Sequence, residues 1–235
     1  MRCPATARSR ASTTTCRATA PRRCRSSSRS SQAQSTVLEL ACGTGSILAH
    51  LHDDFEVTGV DLSPEMLELA REKLPDVELL SGDMTNVRLG RTFDAVLCLY
   101  DAVNHLPEFD DWERLFDTAV AHLRPGGTFV FDVNSEERLD WFAQQPAVAL
   151  DFGERNVAIV DVVDGGGRIR NWELRFFEHV DGDRYRLSRE VIAEVAFPEA
   201  QVRAALEARF AEVDVVEDNG RLWFTCRGPA AASRP

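Results

Sequence analysis

Residues 37–45 read V-L-E-L-A-C-G-T-G, an apolar run that contains one acid and ends in a glycine-rich turn. Such a run is typical of a buried strand, and the turn after it is typical of a loop that leads into a helix. Ligands of open α/β sheets bind beyond the carboxyl ends of the strands. We therefore expect a ligand at this turn, where Gly43 and Gly45 would let it approach the backbone closely.

Glu39 distinguishes this turn from a dinucleotide-binding turn. A dinucleotide site has the pattern G-x-G-x-x-G or G-x-G-x-x-A, whereas the third small position is here occupied by Leu48. A carboxylate just before the turn would also repel a pyrophosphate and attract an ammonium or sulfonium group. An alternative is that Glu39 binds only backbone N–H groups, since a buried carboxylate needs such partners in any case.

From Val37 onward, short apolar strands alternate with helices, which predicts a doubly wound, mostly parallel sheet of the α/β class. Hairpin turns such as Asp181-Gly182-Asp183 predict a small antiparallel insert at about 152–197, within a domain that spans 37–227. Val202, Leu206 and Phe210 predict a late helix. Strands are predicted at 37–41, 55–60, 77–80, 93–99 and 128–133, and helices at 46–51, from Ser63, and at 110–123.

Asp61 lies 18 residues after Gly43, at the end of the second predicted strand. A carboxylate in this place can accept charge-assisted hydrogen bonds from both hydroxyls of a ribose. The alternative is an exposed loop acid without a ligand. Together, Glu39, the glycine turn and Asp61 predict a ligand with a ribose, a free amino group and a carboxylate but no phosphate. S-adenosylmethionine has these groups.

Five motifs occur in order, and with them the chain resembles the class I S-adenosylmethionine-dependent methyltransferases, a Rossmann-like fold with a seven-stranded sheet. The motifs are V-L-E-L-A-C-G-T-G (37–45), G-V-D-L-S-P-E-M-L (59–67), S-G-D-M (81–84), F-D-A-V-L-C-L-Y-D-A-V-N-H-L (93–106) and L-R-P-G-G-T-F-V-F-D (123–132). The resemblance implies that Asp83 bonds the adenine amino group and that the Met84 backbone bonds the ring. Leu62 and Met66 would flank the adenosine, or they are plain core residues. The implied cofactor-binding residues are Glu39, Ala41, Cys42, Gly43, Gly45, Asp61, Leu62, Met66, Asp83, Met84 and Leu99.

The resemblance is greatest to small-molecule methyltransferases with an antiparallel insert, including amino-sugar N,N-dimethyltransferases. In that group a His-Leu pair follows the fourth strand and the histidine lies near the transferred methyl; His105-Leu106 occupies this place. The resemblance thus implies methyl transfer to an amine or hydroxyl of a small molecule, with His105 as the catalytic base. The alternative is a histidine that only shapes the pocket. Tyr100, Asp101 and Asn104 share the loop and are predicted to bind the substrate.

The composition of the chain limits the classes of binding partner and the cellular locations that are expected. The first 36 residues hold eight of the 27 basic side chains and none of the 38 acidic ones, so the remainder is strongly acidic. Such a domain repels a phosphate backbone, and we expect no nucleic-acid partner. No apolar stretch approaches the length of a membrane span, so we expect no membrane partner. Cys42, Cys98 and Cys226 are scattered and the histidines show no ligand spacing, which predicts a cytoplasmic protein without a metal site. The insert is a possible surface for an oligomer.

The two ends of the chain are expected to be disordered, at 1–36 and 228–235, because they have few apolar side chains to bury. For the Arg/Ser-rich residues 1–36 three explanations stay open: a stretch translated in the wrong frame, an organelle transit peptide and a genuine tail. Enzymes of the resembled group usually begin with a helix that closes over the cofactor, and residues 1–36 offer no counterpart. A non-catalytic S-adenosylmethionine-binding protein is therefore an alternative, as is a nicotinamide-dependent oxidoreductase, which Glu39 and Leu48 disfavour.

Overall fold

The computed structural model describes residues 35–153 and 155–229. In chain order the strands are β1 (Thr36–Leu40), β2 (Glu56–Asp61), β3 (Glu78–Ser81), β4 (Phe93–Cys98), β5 (Leu123–Asn134), β6 (Val148–Phe152), β7 (Asn156–Gly166), β8 (Ile169–Asp181), β9 (Arg184–Val195), β10 (Phe210–Asp218) and β11 (Arg221–Pro229). The helices are α1 (Ser46–Leu51), α2 (Pro64–Lys73), α3 (Phe109–His122), α4 (Glu136–Ala143) and α5 (Glu199–Glu207), with a 3-10 helix at Ala102–His105.

Seven strands form the main sheet in the order β10-β11-β5-β4-β1-β2-β3. The strands from β3 to β5 pair in parallel, whereas β11 runs antiparallel to both β5 and β10. This confirms the predicted doubly wound, mostly parallel sheet. The chain proceeds outward from β1 to β3 and then crosses back to β4, so the strand order reverses between β1 and β4. A crevice opens at the carboxyl ends of strands at such a reversal.

The helix predicted at 110–123 is present as α3, and its apolar face is buried against the main sheet. Trp112, Leu115 and Phe116 are completely buried, and the Phe116 ring lies 5.5 Å from the ring of Phe131 on β5. Phe131 in turn stacks on Phe224 of β11, with ring centroids 4.7 Å apart. These contacts join α3, β5 and β11 into one packed layer.

The antiparallel insert is present, but its bounds differ from the predicted 152–197. Its four strands, in the order β6-β7-β8-β9, run from Val148 to Val195. The prediction missed β6, all of whose residues are exposed, because an edge strand without a buried face lacks the alternation of polar and apolar residues that marks a strand. Helix α4 was missed as well, although the Ser135 hydroxyl accepts a hydrogen bond from the Arg138 N–H (3.1 Å) and so caps its first turn.

The prediction that Phe210 belongs to the late helix was wrong. Helix α5 ends at Glu207, and Phe210 is the first residue of β10, where its ring stacks on Phe129 at 5.9 Å. Phe210 would be buried in a helix as well as in a strand, so the spacing of apolar residues alone could not show that the helix ends before it. Asn219 and Gly220 form the hairpin turn between β10 and β11, and both have the positive φ that such a tight turn requires.

The predicted ends of the domain also shift. Thr36 begins β1, and its backbone N–H donates to Asp94 Oδ2 at 2.7 Å, so this residue belongs to the sheet rather than to the segment 1–36. Gly228 belongs to β11 rather than to the predicted tail. The predictions for residues 1–34 and 230–235 lie outside the described residues. Within the described part of the chain, no helix is long and apolar enough to cross a membrane.

Candidate active site

The turn after β1 is held open by three residues with positive φ, namely Ala41, Gly43 and Gly45. A side chain at Gly45 would meet the Leu74 Cδ1 atom at 2.9 Å, so this glycine allows α2 to pack against the turn. Gly43 differs, since nothing lies within 4 Å of the place where its Cβ would be. Gly43 therefore leaves open space at the crevice, as a turn that admits a ligand requires.

Asp61 ends β2 and joins the loops that follow β1 and β2. Its Oδ2 accepts a hydrogen bond from the Gly43 N–H at 2.7 Å, and its Oδ1 accepts one from the Ser63 N–H at 2.9 Å. A carboxylate oxygen has two lone pairs, so each oxygen can accept one further hydrogen bond. Asp61 is partly buried and lines the crevice, so it is not an exposed loop residue.

Glu39 lies in β1 and is only 2% exposed. Its Oε2 has no hydrogen-bond partner, and the side chain lines the crevice. Burial, reinforced by the negative charge of Asp61, raises the pKa of Glu39 to about 8. A buried carboxyl oxygen without a partner costs free energy unless a ligand supplies a donor or a positive charge. The structure thus favours a cationic or hydrogen-bond-donating group of a ligand at this place.

Two adjoining cavities of about 450 and 420 Å³ make up the crevice, and Ala41, Asp61 and His105 line both. The structure brings together most of the residues predicted for the cofactor. The first cavity is lined by Leu62, Asp83 and Met84, and the second by Glu39, Cys42, Gly43, Met66, Leu99 and Tyr100. Gly45 lines neither cavity and acts through its packing against α2.

Leu62 and Met66 are not core residues. Their exposed fractions are 70% and 43%, large values for apolar side chains, and both stand at the rim of the crevice. Asp83, in contrast, is already engaged, since its Oδ1 accepts hydrogen bonds from the Thr85 N–H and hydroxyl, both at 2.8 Å. Asp83 therefore shapes the loop after β3 in addition to lining the cavity.

The loop after β4 contains two consecutive non-glycine residues in the left-handed region, Tyr100 (φ 59°) and Asp101 (φ 51°). This conformation costs about 1–2 kcal/mol per residue. Asp132 on β5 offsets the cost, because its Oδ1 accepts from the Tyr100 N–H at 2.8 Å and its Oδ2 from the Asp101 N–H at 3.1 Å. Arg221 then binds the carboxylates of Asp132 and Asp101, each at 2.6 Å.

The structure separates the three residues predicted to bind substrate. Tyr100 is 64% exposed and lines the crevice, as does the exposed His105. Asp101 lines neither cavity, since its carboxylate is paired with Arg221. Asn104 is completely buried. It donates to the carbonyls of Asn134 (3.0 Å) and Val195 (2.8 Å) and accepts from the Asn134 N–H (2.9 Å), so its side chain faces away from the crevice.

Several residues of the site were not predicted. Asp132 and Arg221 form an ion pair beneath the loop, and Glu194 joins this cluster beside Asp101, where it accepts a hydrogen bond from the Asn134 side-chain amide at 2.9 Å. Burial raises the pKa of Glu194 to about 7. The S-E-E run at 135–137 is a local sequence signal for the start of α4. No local sequence pattern indicates that the side chains of this cluster lie together. Unpredicted residues that line the cavities include Thr44, Ser46, Ile47, Asn86, Asp111 and Arg114.

No group of three or more His, Cys, Asp or Glu side chains in residues 35–153 and 155–229 has an arrangement that could hold a metal ion. The absence of a metal stays a prediction for the whole chain. Trp172, which the insert contributes, packs against Phe142 with ring centroids 5.0 Å apart and lines neither cavity.

Comparison with known proteins identifies the family. Residues 37–127 match the family described as a methyltransferase domain. The chain is 33% identical over 186 residues to the Streptomyces venezuelae dTDP-3-amino-3,4,6-trideoxy-alpha-D-glucopyranose N,N-dimethyltransferase, covering 78% of each chain. It belongs to the S-adenosylmethionine-dependent methyltransferases. This methyltransferase therefore uses S-adenosylmethionine as its methyl donor, and the oxidoreductase and non-catalytic alternatives are not supported.

Solved structures agree with this family. The structure of DesVI from Streptomyces venezuelae matches the methyltransferase with a TM-score of 0.74 and 29% identity, over 84% of each chain. S-adenosylmethionine-bound CalS10, described as an amino pentose methyltransferase from Micromonospora echinaspora, matches with a TM-score of 0.72 and 32% identity, over 83% of this chain and 84% of CalS10. The donor also fits the residues present, since its amino group can donate a hydrogen bond to the unpartnered Glu39 oxygen and Gly43 leaves room beside it.

Replacing Glu39 with Gln should make the apo protein more stable at alkaline pH. A carboxyl whose folded pKa is raised from 4.5 to about 8 contributes stability that is fully present below the unfolded value and is lost as pH rises through the folded value. Glu39→Gln keeps the shape without this loss. Its melting temperature should match the wild type at about pH 5 and exceed it by about 5 °C at about pH 8.5. A difference in melting temperature between variant and wild type that does not grow with pH would contradict this prediction. Glu68→Gln, on the exposed face of α2, is the control.

Proposed function

We propose that this methyltransferase methylates the amine of a small amino sugar. The observation that carries the proposal is the 33% identity, over 78% of each chain, to a protein named as a dTDP-amino-sugar N,N-dimethyltransferase. CalS10, which is named as an amino pentose methyltransferase, supports the same class of acceptor. The methylated atom is then a nitrogen rather than an oxygen.

The charge of the crevice supports an amine acceptor. Asp61 and Asp83 line the crevice beside His105, whereas Asp111 is paired with Arg114. Arg114 is the one cationic side chain among the residues that line these two cavities. The amine of an amino sugar is protonated near neutral pH, and nearby carboxylates favour the orientation that brings this ammonium group toward the crevice. A neutral hydroxyl acceptor gains nothing from this field.

The proposed division of labour follows from the positions of the residues. Asp61 accepts hydrogen bonds from the ribose hydroxyls, and Asp83 and the Met84 backbone bind the adenine. Glu39 binds the amino group of the donor. When bound, S-adenosylmethionine supplies a methyl group that is already activated by a sulfonium. The protein then has to hold the acceptor nitrogen in line with that methyl and exclude water. His105 takes a proton from the acceptor ammonium, which frees the lone pair of the nitrogen for attack.

Other predictions about partners and location stay predictions. They are an acceptor that is a small molecule, the lack of a nucleic-acid or membrane partner, and a cytoplasmic location. An oligomer formed through the insert also stays a prediction. It draws support from the exposed apolar side chains of β6, among which Val148 and Leu150 are each about half exposed.

The acceptor can be tested with purified enzyme and radiolabelled S-adenosylmethionine. We expect turnover of dTDP-3-amino-3,4,6-trideoxy-alpha-D-glucopyranose, with product mass increasing by one and then two methyl groups. The matched control is the corresponding dTDP-3-hydroxy sugar, which should not react. Methylation of the hydroxy sugar, or of a phenol but not of the amino sugar, would overturn the proposed acceptor.

Asp61→Ala should weaken binding of S-adenosylhomocysteine at least about tenfold, as expected from the loss of charge-assisted hydrogen bonds to the ribose. Calorimetry on folded protein measures the dissociation constant. Because Asp61 also holds the Gly43 and Ser63 N–H groups, the melting temperature has to be recorded alongside. Asp54→Ala, at the opposite end of β2, is the control and should bind as the wild type does. An unchanged constant in folded Asp61→Ala would sink the ribose assignment.

His105→Asn should lower kcat about a hundredfold, the lower range for loss of a general base, while the dissociation constant of S-adenosylhomocysteine stays within about twofold. The reason is that His105 is proposed to meet the acceptor rather than the adenosine. His52→Asn, an exposed histidine at the end of α1, serves as the control. If affinity for S-adenosylhomocysteine collapses while kcat holds, His105 belongs to the cofactor site instead.

A further inference from the structure

The loop that carries Tyr100 and His105 begins with a backbone conformation that its own residues do not favour. Tyr100 and Asp101 both have positive φ although neither is glycine. Asp101 directly precedes the 3-10 helix Ala102–His105, and its carbonyl accepts a hydrogen bond from the Asn104 N–H at 2.9 Å. The start of this short helix therefore depends on the conformation of residues 100 and 101, while the Asn104 side chain anchors its later part to Asn134 and Val195.

Asp132 supplies the missing constraint from the neighbouring strand. The residue is completely buried in β5, and its two carboxylate oxygens each accept one of the two backbone N–H groups, from Tyr100 and from Asp101. Successive N–H groups can converge on one anion only when the backbone turns in this way. Arg221 binds the same carboxylate from β11, which keeps the buried charge compensated.

We propose that Asp132 is a positioning residue for methyl transfer: its carboxylate holds the Tyr100–Asp101 turn in the left-handed conformation that presents Tyr100 and His105 to the acceptor. The proposal rests on the proposed role of His105. Asp132 lines neither cavity and touches no reacting atom, so it acts through the loop. The competing explanation is that Asp132 and Arg221 form an ion pair that serves stability alone.

Asp132→Asn separates the two explanations. Its amide oxygen can still accept from the Tyr100 N–H, but its NH₂ group then faces two donors, the Asp101 N–H and Arg221. The loop should move while the side-chain volume is kept. With the dTDP-3-amino sugar as acceptor and both substrates saturating, kcat should fall by about tenfold to a hundredfold, the effect expected from a small misplacement of catalytic groups. The KM for S-adenosylmethionine should stay within about twofold, since the residues proposed to hold the donor are untouched.

Asp94→Asn is the matched control. Asp94 is also a carboxylate that accepts a backbone N–H, from Thr36, and binds an arginine, Arg124, but it lies at the amino-terminal end of β4. Asp94→Asn should lower the melting temperature without lowering kcat per folded molecule. If Asp132→Asn behaves in the same way, its role is structural and the proposal is overturned.

Asp101→Gly tests the mechanism itself. Glycine adopts positive φ without strain, so in an Asp101→Gly background the turn should depend less on Asp132. Asp132→Asn should then lower kcat by less than about threefold, a non-additive result. Full additivity of the two substitutions would overturn the account.

A readout without an acceptor keeps the proposal testable if the proposed substrate is wrong. In the complex of the full chain with S-adenosylhomocysteine, the imidazole resonances of His105 should shift in Asp132→Asn and stay unchanged in Asp94→Asn. Unchanged His105 resonances in Asp132→Asn would overturn the proposal even if kcat fell. Lack of turnover by the wild type on the amino sugar would instead reject the proposed acceptor and leave the spectroscopic result to decide the role of Asp132.

Discussion

The hydrogen bond from the Gly43 N–H to Asp61 is the interaction on which the crevice depends. It joins the loop after β1 to the end of β2, and the second oxygen of the same carboxylate fixes the start of the next loop through Ser63. Two neighbouring parallel strands thereby present their loops in one arrangement before any ligand is bound. A site that is already formed loses less conformational entropy when it binds its ligand.

Acidic side chains concentrate at the carboxyl edge of the main sheet. Glu39, Asp132 and Glu194 are all nearly or completely buried there, and burial raises the pKa of each. Arg221 compensates Asp132 and Asp101, whereas one oxygen of Glu39 is left without a partner. The edge is thus divided into a compensated part, which supports the loop after β4, and an uncompensated part beside the glycine turn, which suits a ligand with a positive charge.

The sequence allowed prediction of the sheet and of the groups at the strand ends, because in a parallel sheet all carboxyl ends meet at one edge. Glu39 lies within a recognisable apolar strand, Asp61 ends one, and His105 stands in the loop after one. The cluster beneath the loop was beyond such reasoning. Arg221 and Asp132 are 89 positions apart and meet only because β11 is antiparallel to β5. Asn104 looked like a substrate ligand from its loop, and its burial depends on a carbonyl of Val195 at the far end of the insert.

The hydrogen bonds of Asn104 have a consequence for engineering. This single amide ties the last residue of β9 to the end of β5 and lies next to His105 in the chain. The insert is therefore not an independent module that can be exchanged at its two connections. A chimera that takes its insert from a relative with another acceptor would have to bring a compatible carbonyl and a partner for Asn134 in place of Glu194. Without them the transplanted sheet would fold on its own strands yet leave the loop beside the crevice without its anchor.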